Sequence, residues 1–133
     1  MRARRPCVRP IMSRFVILRH ETPDEIQRPC HWDFMLQTDD VLRTWALAEQ
    51  PAVGRSIAAE ALADHRTAYL DYEGPLSGNR GVVARWDEGT YRIEQESRTK
   101  LVVTLLGEKI KGRVTLSRDT AQDLHWRVGF NGD

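Results

Sequence analysis

The sequence predicts an all-β fold: a single antiparallel β-barrel of about eight strands with little helix. Three observations carry the prediction. Short apolar runs recur along the chain with tight turns between them. One of these, His31-Trp32-Asp33-Phe34-Met35-Leu36, alternates strictly, with Trp32, Phe34 and Leu36 on one face and His31, Asp33 and Met35 on the other. Helical character is confined to one short stretch, Ala58 to Ala63. Many short strands with short turns close most simply into a barrel. At 133 residues the chain is one domain, long enough to bury its own core.

Taken in order, residues 1–12 read as a disordered basic arm, Arg-rich with Pro6 and Pro10 and without an apolar period. The domain then runs over 13–133, and Met12 is the expected true start, since ordered patterning begins just after it. Phe15-Val16-Ile17-Leu18 is a first strand with His20 at its exit. Glu21 to Pro29 is a polar loop bracketed by prolines. The 31–37 strand follows, Asp39-Asp40 turns the chain, and Val41 to Leu47 returns as its hairpin partner. Ser56 to Ala63 reads as strand-like with a helical turn, and Asp64-His65 opens the next segment. Gly74, Pro75, Gly78 and Gly81 mark a loop where backbone must pass closely. Val82 to Trp86 is a strand, Asp87-Glu88-Gly89 a turn and Tyr91 to Glu94 a strand. Leu101 to Leu106, Lys109 to Leu116 (with Gly112 as a bulge or bend) and Leu124 to Val128 complete the set.

Composition narrows the function. The apolar share is 41% and the charged share 29%, ordinary for a globular protein. No apolar run reaches the roughly 18 residues of a membrane span, so no membrane association is expected. Net charge is +1, and without the four arginines of the arm 16 basic side chains face 19 acidic ones. A broad basic coat for nucleic acid is thereby excluded, and any phosphate is held at one local site. Two cysteines, Cys7 and Cys30, make no disulfide framework, and the default compartment is a reducing cytoplasm. Cys30 reads as a small, partly buried thiol and not as a ligand.

The chemistry centres on His31-x-Asp33, an imidazole and a carboxylate on one strand face, able to grip one metal ion. His20 and His65 lie in segments that a barrel could bring to the same face. The competing reading is a hydrogen-bonded surface pair, with His65 structural and Tyr69 in the core.

Five motifs then occur in order: His20…His31-Trp32-Asp33-Phe34-Met35-Leu36, Val41-Leu42-Arg43-Thr44-Trp45-Ala46-Leu47, Asp64-His65…Tyr69…Asp71-Tyr72-Glu73-Gly74, Trp86-Asp87-Glu88-Gly89-Thr90-Tyr91, and Leu106-Gly107-Glu108-Lys109-Ile110-Lys111-Gly112-Arg113. Over roughly residues 13–127 the chain resembles the 3′-phosphoesterase domain of bacterial DNA ligase D, which also occurs as a stand-alone protein. The resemblance implies a β-barrel hydrolase that depends on Mn2+, with Zn2+ as a second candidate. Such a domain trims nucleic-acid 3′ ends in DNA repair, removing a 3′-ribonucleoside or 3′-phosphate for a separately encoded ligase or polymerase. It further implies His20, His31 and Asp33 as metal ligands and His65 and Tyr69 as the catalytic residues contacting the scissile phosphate. A monomer is expected.

Three departures bear on that transfer. The family arginine two residues after the aspartate is Met35 here, and loss of a bidentate cation from a phosphate site is not mild. By alternation Met35 should border the cleft. Ten residues separate His20 from His31 where the family has about five, and this loop offers Arg28 as a substitute phosphate-binding cation. A family lysine after the Trp-Ala strand is replaced by Glu49-Gln50. The alternative is thus a catalytically weakened module that binds nucleic-acid ends on the same barrel. An Fe(II) oxygenase facial triad is a third reading, against which stand the short chain and the neighbourhood of a matching co-substrate arginine, which Pro75 and Leu76 occupy.

Overall fold

The strand alternation builds a wall with two apolar faces. The structure, a computed structural model, describes residues 13–23 and 30–132. The arm expected at 1–12 and Arg28 lie outside the described residues. Nine strands form one sheet: β1 (Ser13–Glu21), β2 (His31–Thr38), β3 (Val41–Leu47), β4 (Ser56–Arg66), β5 (Gly74–Pro75), β6 (Val82–Glu96), β7 (Lys100–Gly107), β8 (Lys111–Ser117) and β9 (His125–Gly132). Their order is β1-β2-β3-β4-β9-β8-β7-β6-β5, and β1 also pairs with β6. That last pairing closes eight strands into an antiparallel barrel, with the two-residue β5 outside the ring. The helical content among the described residues is two short 3-10 turns, Thr67–Leu70 and Ser77–Asn79.

Alternation sorts the side chains. Phe15, Ile17, Phe34, Leu36, Trp45, Leu47, Ile57 and their counterparts on β6 to β9 fill the barrel. Edge-to-face pairs join neighbouring strands β1 and β2 through Phe15–Phe34 (6.3 Å) and link β3 to β9 across β4 through Trp45–Trp126 (5.6 Å). The other face of the β1-β2-β3 wall carries a second apolar cluster: Val16, Leu18, Met35, Leu42 and Val83, covered by Leu70. An ion pair of 2.9 Å between Arg14 and Asp71 ties the covering turn back to β1. Met35 is 1% exposed in this cluster. Its face is the expected one, but an apolar lid covers it and it does not border a cleft.

Two other expectations are corrected. Residues 56–66 form one strand with no helical turn, because β4 pairs with β3 on one side and β9 on the other, and two ladders outweigh the modest helix propensity of alanine. Residues 82–96 likewise form one strand, without a turn at Asp87-Glu88-Gly89. In the β1–β6 ladder Ile17 pairs with Asp87 and Leu18 with Arg85, so Trp86 is an extra residue that bends β6 around the closing barrel.

Asp87 explains two of the sequence motifs structurally. Buried at 3% exposure, its carboxylate accepts N–H bonds from Glu88, Glu108, Lys109 and Ile110, at 2.8 to 3.0 Å. It thereby holds the β7–β8 turn. Gly107 is needed there, since a Cβ would lie 2.5 Å from the Asp87 carboxylate.

Candidate metal centre

The strand register assembles the cluster. In the β1–β2 ladder His20 lies opposite His31, and Leu18 lies opposite Asp33. His20 is therefore diagonal to Asp33 on the same outer face, within reach of its carboxylate. His20 Nδ1 lies 3.1 Å from Asp33 Oδ2, and His31 Nε2 lies 3.0 Å from Asp33 Oδ1. The two imidazole centroids are 4.6 Å apart. One ligand atom from each of His20, His31 and Asp33 falls within 4.8 Å of the others.

The donors have the chemistry a cation needs. His20 donates Nε2–H to the Arg80 carbonyl at 2.9 Å. In the neutral ring this leaves the Nδ1 lone pair facing the carboxylate, and a backbone carbonyl behind a histidine is a common way to orient a metal ligand. Without a cation between them, the Nδ1–carboxylate contact requires a protonated ring. Burial works against the charged His20, but the bonds to Asp33 and to the Arg80 carbonyl prevail and raise its pKa above the ordinary 6.5. Burial likewise disfavours ionised Asp33, yet the hydrogen bonds from His20 and His31 outweigh it and lower its pKa to about 2. The carboxylate is thus anionic at neutral pH although the Asp33 side chain is only 4% exposed. Two imidazoles and a carboxylate so placed are compatible with a divalent metal.

A cavity of about 170 Å³ opens on the cluster, lined by His20, Thr22, His31, Asp33, Leu62, His65 and Arg80. His65 reaches it through a bulge. Leu42 pairs with His65 and Thr44 with Leu62, so β4 carries one extra residue in this interval. Simple alternation would put Leu62 and His65 on opposite faces, and the extra residue brings both to the cavity. His65 sits inside β4, not after a loop, and donates Nδ1–H to the Ala63 carbonyl at 2.9 Å. Tyr69, in the Thr67–Leu70 turn, stacks edge-on to His65 at 5.7 Å. It lines a neighbouring depression and packs partly against the outer apolar cluster. Cys30 is exposed, contrary to the expected partial burial.

Sequence reasoning missed Arg80. Its carbonyl orients His20, and its side chain borders the cavity. Gly81 was the available signal: its φ is +109°, and a Cβ there would lie 2.1 Å from the Glu21 carbonyl oxygen. Only glycine lets the chain cross β1 closely enough to present the carbonyl of residue 80.

The family model of the DNA Ligase D 3′-phosphoesterase domain matches residues 20–118, a span that holds all these residues. The Multifunctional non-homologous end joining DNA repair protein LigD of Mycobacterium tuberculosis (strain ATCC 25618 / H37Rv) is 34% identical over 125 residues, covering 85% of this chain and 16% of that protein. The Multifunctional non-homologous end joining protein LigD of Pseudomonas aeruginosa is 33% identical over 98 residues, covering 66% and 12%. LigD of Mycolicibacterium smegmatis is 30% identical over 122 residues, covering 78% and 15%. The chain spans less than one fifth of the length of these relatives. Matched over most of its length by that family model, the chain belongs to the DNA Ligase D 3′-phosphoesterase domain family.

Proposed function

We propose that this chain is a metal-dependent phosphoesterase acting on nucleic-acid 3′ ends, removing a 3′-phosphate or 3′-terminal ribonucleoside in DNA end repair. The observation that carries this reading is the convergence of His20, His31 and Asp33 at a cavity whose rim holds His65. Those three side chains would hold the ion, with Mn2+ first and Zn2+ second among the candidates for a two-histidine, one-carboxylate set. A bound ion there would polarise a non-bridging phosphate oxygen and make water a better nucleophile at neutral pH.

The protein's own groups supply the rest. Asp33 brings the negative charge that fixes a cation against two neutral imidazoles. His65 has its Nδ1–H committed to Ala63, so donating to a phosphate oxygen through Nε2 requires the imidazolium form. In that form it offers both a hydrogen bond and a positive charge as negative charge develops. Tyr69, held edge-on to His65, orients a phosphate oxygen from the neighbouring depression. Arg28 stands as a further phosphate contact on its sequence position alone. The resulting 3′-hydroxyl would serve a ligase or polymerase in the cytoplasm, as the end-joining relatives suggest, with the chain acting as a monomer.

One observation favours a second reading, a weakened end-binding module: β2 sends no cation to the cavity, because Met35 is buried under Leu70. A primer bearing a 3′-phosphate, incubated with chelator-stripped protein and added Mn2+, decides between them. Release of inorganic phosphate, abolished by EDTA and by Asp33→Ala, is expected. Bound metal and bound primer without phosphate release would move the assignment to the binding module. Release that survives Asp33→Ala would remove the metal centre from the mechanism.

A further inference from the structure

Three depressions adjoin along the outer wall. The central one is the cavity at the His20-His31-Asp33 cluster. It shares Arg80 with a bowl of about 270 Å³ lined by Arg66, Tyr69, Tyr72, Leu76, Ser77 and Arg80. It shares His31 with a third depression of about 230 Å³, lined by Cys30, Ala46, Ala48, Ala58, Glu60 and His125. The three therefore form one track with the cluster in the middle.

The two ends of the track differ in sign. The charged residues of the bowl are two arginines, with no carboxylate in its lining. The charged residue of the far depression is Glu60, on a floor of alanines. A polyanionic strand is attracted to the first end, where the two arginines stand.

The bowl is also built for stacking. His65, Tyr69 and Tyr72 form a ladder of edge-to-face rings, 5.7 Å and then 5.9 Å between centroids, leading out from the cavity. Tyr72 is 37% exposed, and its hydroxyl donates to the Pro75 carbonyl, which fixes the ring. Arg80 is fixed too: its Nε donates to the Ser77 carbonyl at 2.7 Å and an Nη to the Ser77 hydroxyl at 3.0 Å. An immobilised guanidinium beside an immobilised aromatic ring is the pairing that holds a single-stranded backbone and its base together.

We infer that the bowl of Arg66, Tyr69, Tyr72 and Arg80 is a strand-binding subsite. It takes the nucleotide immediately 5′ of the scissile phosphate, so the strand approaches the metal centre from the Tyr72 side; hydrolysis of a terminal phosphate leaves the 3′-oxygen on the strand in the bowl, and in the diester reaction the released 3′-ribonucleoside lies toward the alanine floor. This rests on the phosphoesterase reading and adds to it a polarity of strand approach. Arg80 and Arg66 supply the positive charge that β2 does not.

The test uses ligands that cannot turn over. Methylphosphonate, which carries no nucleoside, and a thymidylate pentamer ending in a 3′-methylenephosphonate are titrated calorimetrically into the Mn2+-loaded protein. The pentamer is expected to bind about tenfold or more tighter, since a stacked base and a second phosphate each add affinity. In Arg66→Ala/Tyr72→Ala the advantage of the pentamer should fall to near one. Equal binding of the two ligands by the parent overturns the subsite, as does a double variant that keeps the full advantage. Should the double variant melt early, Arg66→Gln, a change at an exposed side chain, replaces it. The dependence of log affinity on log salt should then fall by about 0.7 for the pentamer, and an unchanged slope overturns the inference. Failure of the parent to bind either ligand with metal in place would refute the phosphoesterase reading itself, and the subsite with it.

Discussion

Replacing Met35 by arginine restores the residue type that the family carries on β2, so sequence alone predicts tighter phosphate binding. The structure predicts a damaged fold. Met35 is 1% exposed among Val16, Leu18, Leu42, Leu70 and Val83. Removing its buried side chain forfeits about 1.5–3 kcal/mol of transfer free energy. The guanidinium must then either lose its hydration, at a cost of several kcal/mol, or push the Thr67–Leu70 turn off the barrel. Asp33, two residues along the same strand face, could pair with it only by leaving His20 and His31. A net loss of about 3–5 kcal/mol follows, a large part of the stability of a domain this size. Thermal unfolding of the metal-free protein should show a drop of roughly 10 °C or more. Met35→Leu, which keeps volume and apolarity, should cost under about 1.5 kcal/mol. An arginine variant that melts within about 3 °C of the parent and binds a 3′-phosphate end more tightly would refute the apolar lid.

In the metal-free protein, Asp33 titrates at about 2 against an ordinary 3.8, so its ionised form contributes about 2 kcal/mol above pH 4, lost as pH falls toward 2. His20 is raised, so its contribution is full below pH 6.5 and fades as pH rises through its folded value. Because both arise largely from one contact they do not add. Chelated protein should be most stable between roughly pH 4 and 6.5, with the maximum flattened in Asp33→Asn. A steady rise from pH 5 to 8 in denaturant midpoints would contradict this. Asp87→Ala strips four backbone N–H groups of their acceptor and should cost at least about 3 kcal/mol by urea unfolding, while the folded variant still binds one Mn2+. Loss of metal with intact stability would assign Asp87 to the centre instead. Gly81→Ala should displace the Arg80 carbonyl from His20 and weaken Mn2+ binding roughly 10–100-fold. An unchanged isotherm would show that this carbonyl orients nothing.

Local pattern carried much of this chain. Alternation over 31–36 put Trp32, Phe34 and Leu36 inside and His31, Asp33 and Met35 outside, as the burial shows. Turn residues marked most strand ends, and motif order pointed to the family. What lay beyond the sequence was which partners meet. The β1–β2 register that sets His20 opposite His31 is a pairing between segments, and periodicity records a face but not a partner. The extra residue in β4 that turns His65 to the cavity, and the extra Trp86 that erased an expected turn in β6, arise where the sheet bends to close. Ala58 to Ala63 extends because strands on both sides hold it. Met35 most clearly separates the two levels. Its face followed from alternation, but its burial depended on a turn more than thirty residues later folding back over it. Backbone sterics act between neighbours, whereas burial depends on every segment that packs nearby, and only the closed barrel brings those segments together.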